Sequence, residues 1–182
     1  MVLIRDATAA DAPAIARVHV ASWQSTYAGM LPARYLAGMT KRTAEARWRM
    51  TLPERSPGSG TVVAVDEGGL VVGFSSFGAE RRDIDGFAGE VFALYLLDDA
   101  KGQGTGRLLM AASAERMLAA GVRSAIVWCL AANPTRWFYE RMGGVRIADR
   151  PGRFAGTDIL EVAYGWRDLV PLSRLSIDPP MR

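Results

Sequence analysis

Leu94-Tyr95-Leu96-Leu97-Asp98-Asp99-Ala100-Lys101-Gly102-Gln103-Gly104-Thr105-Gly106-Arg107 is the stretch that decides how the rest of the chain is read. An apolar run of strand character ends at two aspartates, glycine takes every second position from 102 to 106, and an Ala- and Leu-rich helix begins. Glycine lets main-chain N–H groups come close to a ligand. The unpaired N–H groups and partial positive charge of a helix N-terminus favour an anion at that point, above all a phosphate. Spacing separates the candidate phosphate loops. A dinucleotide fingerprint, G-x-G-x-x-G, fails because Arg107 stands three residues after Gly104. A Walker loop fails because Gly106 is followed by Arg107-Leu108 and not by Lys-Ser/Thr.

Upstream, Val2 to Arg5 reads as a short strand and Thr8-Ala9-Ala10-Asp11 as a capping box opening a helix to about Tyr27. Ala, Trp and Met recur at helical spacing among arginines from Lys41 to Leu52, which predicts a second helix. Thr61 to Val65 and Leu70 to Phe77 flank the turn Asp66-Glu67-Gly68-Gly69 and predict a hairpin. A polar loop, Gly78 to Gly89, leads into the strand Glu90 to Leu97. Downstream come a helix from Gly104 to Ala120, a strand from Ser124 to Leu130, a helix from Pro134 to Met142, and two strands near Val145 to Ala148 and Asp158 to Tyr164. Consecutive hairpin strands require antiparallel pairing, so this is not a doubly wound sheet. The order predicts an α/β (α+β) domain over residues 1–168, with a mixed, mostly antiparallel central sheet flanked by helices. Residues 169–182, with Pro179-Pro180, are expected to be a poorly ordered tail.

Lys101-Gly102-Gln103-Gly104-Thr105-Gly106, a basic residue followed by x-x-G-x-G, resembles the pyrophosphate loop of the GNAT superfamily of acetyl-CoA-dependent N-acetyltransferases. Asn133-Pro134-Thr135-Arg136-Trp137-Phe138-Tyr139-Glu140-Arg141-Met142-Gly143 resembles the same superfamily's closing motif. Ser22 to Gly29 and Ala163-Tyr164-Gly165-Trp166 are similar to one bacterial branch of it. The resemblance implies that the main-chain N–H groups of Gln103, Gly104, Gly106 and Arg107 hold the coenzyme A pyrophosphate, with Gly102 in the same loop and Lys101 as a charged neighbour. It implies that the strand edge at Leu94 and Leu96 pairs with the pantetheine arm, and that Tyr139 stands near the thioester sulfur. Asn133 is six residues before Tyr139, one fewer than the superfamily's usual spacing, which turns one end by about 100° on a helix. Lys101 replaces a more usual Arg or Gln and loses bidentate geometry.

An alkyl ammonium, with a pKa of about 10.4, must lose a proton before it attacks a thioester, and the departing thiolate gains from receiving one. Glu90, at the head of an otherwise apolar strand, is the candidate base, directly or through a water, and Tyr139 the candidate acid. His19, the one histidine, lies on a stripe with Ile15, Trp23 and Tyr27, which is the pattern of a core face. Similar enzymes line their acceptor side with this helix, so His19, Trp23 and Tyr27 are the candidate substrate contacts. Cys129 lies in a strand with no nucleophile motif around it and reads as a small core residue.

The composition fits this reading. The chain has 182 residues with a formal charge of +3, and its basic residues are scattered among acidic ones. No basic stripe or nucleic-acid-reading motif is present. No apolar run reaches the roughly 20 residues of a membrane-spanning helix. The single cysteine allows no internal disulfide and no multi-cysteine metal site. The expectation is a cytoplasmic enzyme without a metal, taking a small-molecule or peptide amine as acceptor; the resemblance adds a homodimer. The alternative is a catalytically silent acyl-CoA-binding regulatory domain, which would not need Glu90 and Tyr139. The loops from Met30 to Leu36 and Gly78 to Gly89 carry both charge signs and leave the acceptor open among a polyamine, an antibiotic amine, an amino acid and a peptide amine.

Overall fold

The computed structural model describes residues 2–53 and 56–176. Seven strands form one sheet: β1 (Leu3–Asp6), β2 (Gly60–Val65), β3 (Val71–Ala79), β4 (Gly89–Leu96), β5 (Ala125–Leu130), β6 (Val145–Phe154) and β7 (Thr157–Trp166). Their spatial order is β1-β2-β3-β4-β5-β7-β6, and every neighbouring pair is antiparallel except β4 with β5. Period-2 alternation gives the sheet two apolar faces. Val63, Val71 and Phe74 turn toward α1 (Ala12–Thr26) and α3 (Lys41–Thr51), while Val62, Ala64, Val72 and Phe77 turn toward α4 (Thr105–Ala119). α5 (Arg136–Arg141) follows β5, and α2 (Ala33–Gly38) follows α1. Among the described residues, no helix is long and apolar enough to cross a membrane.

The expected element order is present, with three differences. The expected loop from Met30 to Leu36 gives way at Ala33 to the helix α2. β6 and β7 run far past the expected strands into a long hairpin arm with Ala155-Gly156 at its tip. Pro151 and Gly152 look like strand breakers, but β6 is the outermost strand, where a proline removes no hydrogen bond the sheet requires. The predicted tail begins too early. Leu169 and Leu172 are buried, and α6 (Val170–Ser173) packs against α4, so the domain continues to Ser176. Apolar burial outweighs what Pro171 suggests, since proline is tolerated in a helix's first turn. Residues 177–182, the rest of that expected tail, lie outside the described residues.

The capping box forms. The Thr8 N–H donates to Asp11 Oδ2 at 2.7 Å, and Arg5 grips both Asp11 oxygens at 2.8 Å. The Arg5 guanidinium holds the Asp11 carboxyl down to about 2.

Candidate active site

One local feature of the sheet makes the site. β4 and β5 pair in parallel over Gly89, Glu90 and Val91 alone, against Ala125, Ile126 and Val127. Beyond that they part. Phe92 is the extra residue of a bulge, because Ser76 pairs with Ala93 but Phe77 pairs with Val91. Bulges bend and twist the strand that carries them, and here the bent strand is β4. The Leu97 N–H donates to the Val72 carbonyl at 2.9 Å. By alternation the N–H and C=O groups of Leu94 and Leu96 therefore point away from β3, into the split. One of these acceptors is engaged already: Ser22 Oγ donates to the Leu96 carbonyl at 2.7 Å.

The glycine loop leads from the end of β4 to α4. Gly102 and Gly104 have φ of +74° and +83°, left-handed values that side chains rarely adopt, and Gly104 is the N-cap of α4. The first helical bond runs from the Leu108 N–H to the Gly104 carbonyl at 3.1 Å, so the N–H groups of Thr105 and Gly106 have no acceptor in a preceding turn. Gly106, in the first turn of α4, lies against the Phe138 ring, where a Cβ would make ordinary contact at 3.4 Å. Gln103 turns its amide back to the Asp99 carbonyl at 2.6 Å. Lys101 Nζ lies 2.5 Å from Asp98 Oδ1, and Asp98 also accepts from Ser25 Oγ at 2.6 Å.

On the other side of the split lies a cavity of about 190 Å³ whose walls include Trp23, Tyr27, Tyr95, Trp128, Phe154, Glu90 and Glu161. Phe154 and Glu161 reach it from the hairpin arm. The Tyr27 and Tyr95 hydroxyls share a hydrogen bond of 3.2 Å, and burial raises the pKa of both. A larger hollow, about 280 Å³, is walled by Asp6, Thr61, Ser76 and Arg116 among others. It is the less promising of the two, because its carboxylate, Asp6, is tied to Arg116 Nε at 2.5 Å and none of the residues of the split except Phe92 reaches it.

A curated relative, the uncharacterized N-acetyltransferase YuaI of Bacillus subtilis (strain 168), is 40% identical over 175 residues, covering 96% of this chain and 98% of YuaI. The chain belongs to the GNAT family of N-acetyltransferases. The family model for the acetyltransferase (GNAT) domain matches residues 57–143, which hold the glycine loop and Tyr139. The fold agrees. An N-acetyltransferase from Staphylococcus aureus Mu50 has a TM-score of 0.70 at 18% identity, covering 93% of this chain and 99% of that one. The Paia N-acetyltransferase from Thermoplasma acidophilum, solved in complex with coenzyme A, has a TM-score of 0.65 at 16% identity, covering 89% and 98%.

Within this GNAT domain the expected residues fall into distinct groups. Tyr139 is a buried ring, and burial raises its hydroxyl pKa well above the ordinary value, with Cys129 and Tyr27 as its charged-state neighbours. A neutral phenol is the form that can give a proton. Asn133 is buried; its Oδ1 accepts from the Thr135 N–H at 3.0 Å, capping the turn into α5, and its amide also acts on the Tyr27 hydroxyl. Despite its shorter spacing it therefore positions the helix that carries Tyr139. Trp23 and Tyr27 line the cavity. His19 sits behind them: its ring stacks on Tyr95 with 6° between planes, and its Nδ1 accepts from Trp48 Nε1 at 3.2 Å. Burial, with Arg47 adding to it, lowers its pKa to about 4, so it is neutral at pH 7 and packs as a core residue.

Glu90 lines the cavity but is not open to it. The residue is 1% exposed, and Arg81 takes both of its oxygens, Nε to Oε2 at 3.1 Å and Nη2 to Oε1 at 2.6 Å. Arg81 in turn lies over the Phe92 ring at 4.2 Å. The residue that sequence reading missed is Glu161. It faces Leu130 across the β5–β7 pairing and is held by Arg150, whose guanidinium also lies 5.1 Å from the Trp128 ring centre. An acidic residue in a strand of alternating polarity gives no signal that separates a cavity wall from a solvent face.

Proposed function

We propose that this enzyme transfers the acetyl group of acetyl-CoA directly to a primary amine of a small molecule or peptide, in the cytoplasm. The observation that carries this reading is the split between β4 and β5, with anion-ready N–H groups at one side and a carboxylate- and aromatic-walled cavity at the other. The loop residues fit the cofactor. The N–H groups of Gln103, Gly104, Gly106 and Arg107 would hold its pyrophosphate, with Gly102 supplying the turn and Lys101 exchanging Asp98 for phosphate. The exposed pair Lys101–Asp98 is weak enough to be exchanged. The outward-facing groups of Leu94 and Leu96 would take the pantetheine arm as an added strand. The cofactor supplies an acetyl thioester.

On the protein's side, Tyr139 gives a proton to the leaving sulfur, and the aromatic walls receive the ammonium face of the acceptor. Glu90 serves the site by holding Arg81 and the loop it belongs to, since direct proton abstraction would require the guanidinium to leave. The test begins with thermal-shift titration by coenzyme A and acetyl-CoA, then thiol release over an amine panel. Saturable stabilisation is expected, because a ligand bound to the folded state alone raises its stability. Tyr139→Phe should lower kcat by roughly a hundredfold with little change in acetyl-CoA KM. A coenzyme A-insensitive melting temperature, or full turnover by Tyr139→Phe, would remove this reading.

A further inference from the structure

We infer that Glu161 is the carboxylate that takes the proton from the acceptor ammonium. The inference rests on reading the cavity as the acceptor site, and hydrogen-bonding capacity carries it. Both Glu90 oxygens are occupied by one guanidinium in a residue closed to solvent. Glu161 has Oε2 on Arg150, while Oε1 makes no hydrogen bond among the described residues, and its side chain is 21% exposed on the cavity wall. A carboxylate can serve as base only with an oxygen that the substrate's proton can reach.

Position points the same way. Glu90 pairs with Ile126, where β4 and β5 are still joined. Glu161 pairs with Leu130, the last residue of β5, where the strands have parted. The Leu130 carbonyl accepts from the Asn133 N–H at 2.9 Å, which connects this end directly to the turn into Tyr139's helix. The charge of Glu161 is felt by the Tyr27 hydroxyl and the Cys129 thiol; burial is the larger cause at each, and it brings Cys129 up to about 11. Cys129 and Tyr27 are also the neighbours of Tyr139. Glu161 and Tyr139 thus share two neighbours, Cys129 and Tyr27.

The step balances as follows. The ammonium gives one proton to Glu161 Oε1 and becomes a neutral amine. Its lone pair forms the C–N bond to the acetyl carbon as the C–S bond breaks. The nitrogen's second proton replaces the one that Tyr139 gives to sulfur, so amide and thiol leave, and Glu161 returns its proton to water. Arg150 holds the carboxylate in place on the cavity wall until the acceptor arrives.

Arg150 from β6 holds Glu161, and the titratable or charged groups that line the cavity with it are Cys129 from β5, Tyr27 from the end of α1, Tyr95 and Glu90 from β4, and Arg81 and Arg82 from the loop before β4. The base works ionised, so kcat/KM for the amine should fall as pH drops. The experiment compares Glu161→Gln, Glu161→Asp and Glu90→Gln, using the best amine of the panel. Glu161→Gln should lose at least a hundredfold in kcat/KM for the amine and flatten the acid limb, with coenzyme A stabilisation unchanged. Glu161→Asp should recover part of the rate, and Glu90→Gln should lose less than tenfold. Binding of the same amine to cofactor-free protein, followed by tryptophan fluorescence from Trp23 and Trp128, should weaken about tenfold in Glu161→Gln. A Glu161→Gln enzyme within threefold of wild type, or one that keeps its acid limb, overturns the assignment. So does a larger loss in Glu90→Gln. Wild-type protein that binds coenzyme A yet acetylates no amine would instead sink the acceptor reading on which this rests.

Discussion

At the α4 side of the split the protein offers main chain: left-handed glycines, a helix N-terminus and a strand edge facing outward. At the hairpin side it offers side chains, brought from α1, β4, β5, β6 and β7 to one cavity. The first set comes from a continuous segment and tolerates most side-chain changes. The second is assembled from residues as far apart as Trp23 and Glu161 and depends on each of them. Cofactor binding should therefore be sensitive to backbone conformation, and acceptor binding to side-chain identity.

Gly104→Val breaks the main-chain side. Its φ of +83° is strained for any β-branched residue, so the helix N-cap must reshape and its N–H groups turn away. Coenzyme A affinity by calorimetry should fall by roughly a hundredfold or more, the scale expected when several charge-assisted hydrogen bonds of about 1.5–3 kcal/mol are lost. An affinity within threefold of wild type would mean that the loop does not bind through its backbone.

His19→Gln tests the packed layer beneath the cavity. Its pKa in the fold, about 4, lies below the ordinary 6.5. The stability that neutral His19 permits is therefore complete above pH 6.5 and is lost as pH falls toward 4, by on the order of 3 kcal/mol. Glutamine keeps an acceptor for Trp48 Nε1 without titrating. Denaturant melts at a series of pH values should show a flatter curve for the variant, while the pH profile of turnover is unmoved. A shifted turnover profile would bring His19 back as a participant.

Phe154→Ala sharpens the side-chain side and carries the smallest effect. It removes an aromatic wall that packs edge-on to Tyr35 with ring centres 4.7 Å apart. Steady-state kinetics should give an acceptor KM about tenfold higher with acetyl-CoA KM unchanged. Equal changes in both would show that the two sides are not separable.

These contrasts match what could be read in advance. The glycine loop was legible because its chemistry lies in consecutive residues whose spacing rules out other phosphate loops. Tyr139 was legible for the same reason, being part of a contiguous motif. The element order followed from periodicity and turn residues. The hairpin arm was not legible: the expected strands stopped at Ala148 and resumed at Asp158, and Pro151 and Gly152 between them fit a strand only because β6 is the outermost one. Glu90 was noticed for sitting in an apolar strand, but the partner that occupies its oxygens, Arg81, lies in a loop whose path depends on tertiary contacts. Glu161, inside the expected strand from Asp158 to Tyr164, carried no local mark to single it out.

By itself the sequence determined the family, the strand-to-helix loop and the presence of a phenol on the helix after β5. These depend on local backbone geometry, which a few adjacent residues dictate. Only the tertiary structure decided which carboxylate keeps an oxygen open and which histidine nitrogen is already satisfied. It also decided where β4 parts from β5. Those outcomes depend on pairings between residues distant in the chain, and no local pattern records a neighbour that arrives from 66 residues away, as Glu161 does to the cavity that Tyr95 also lines.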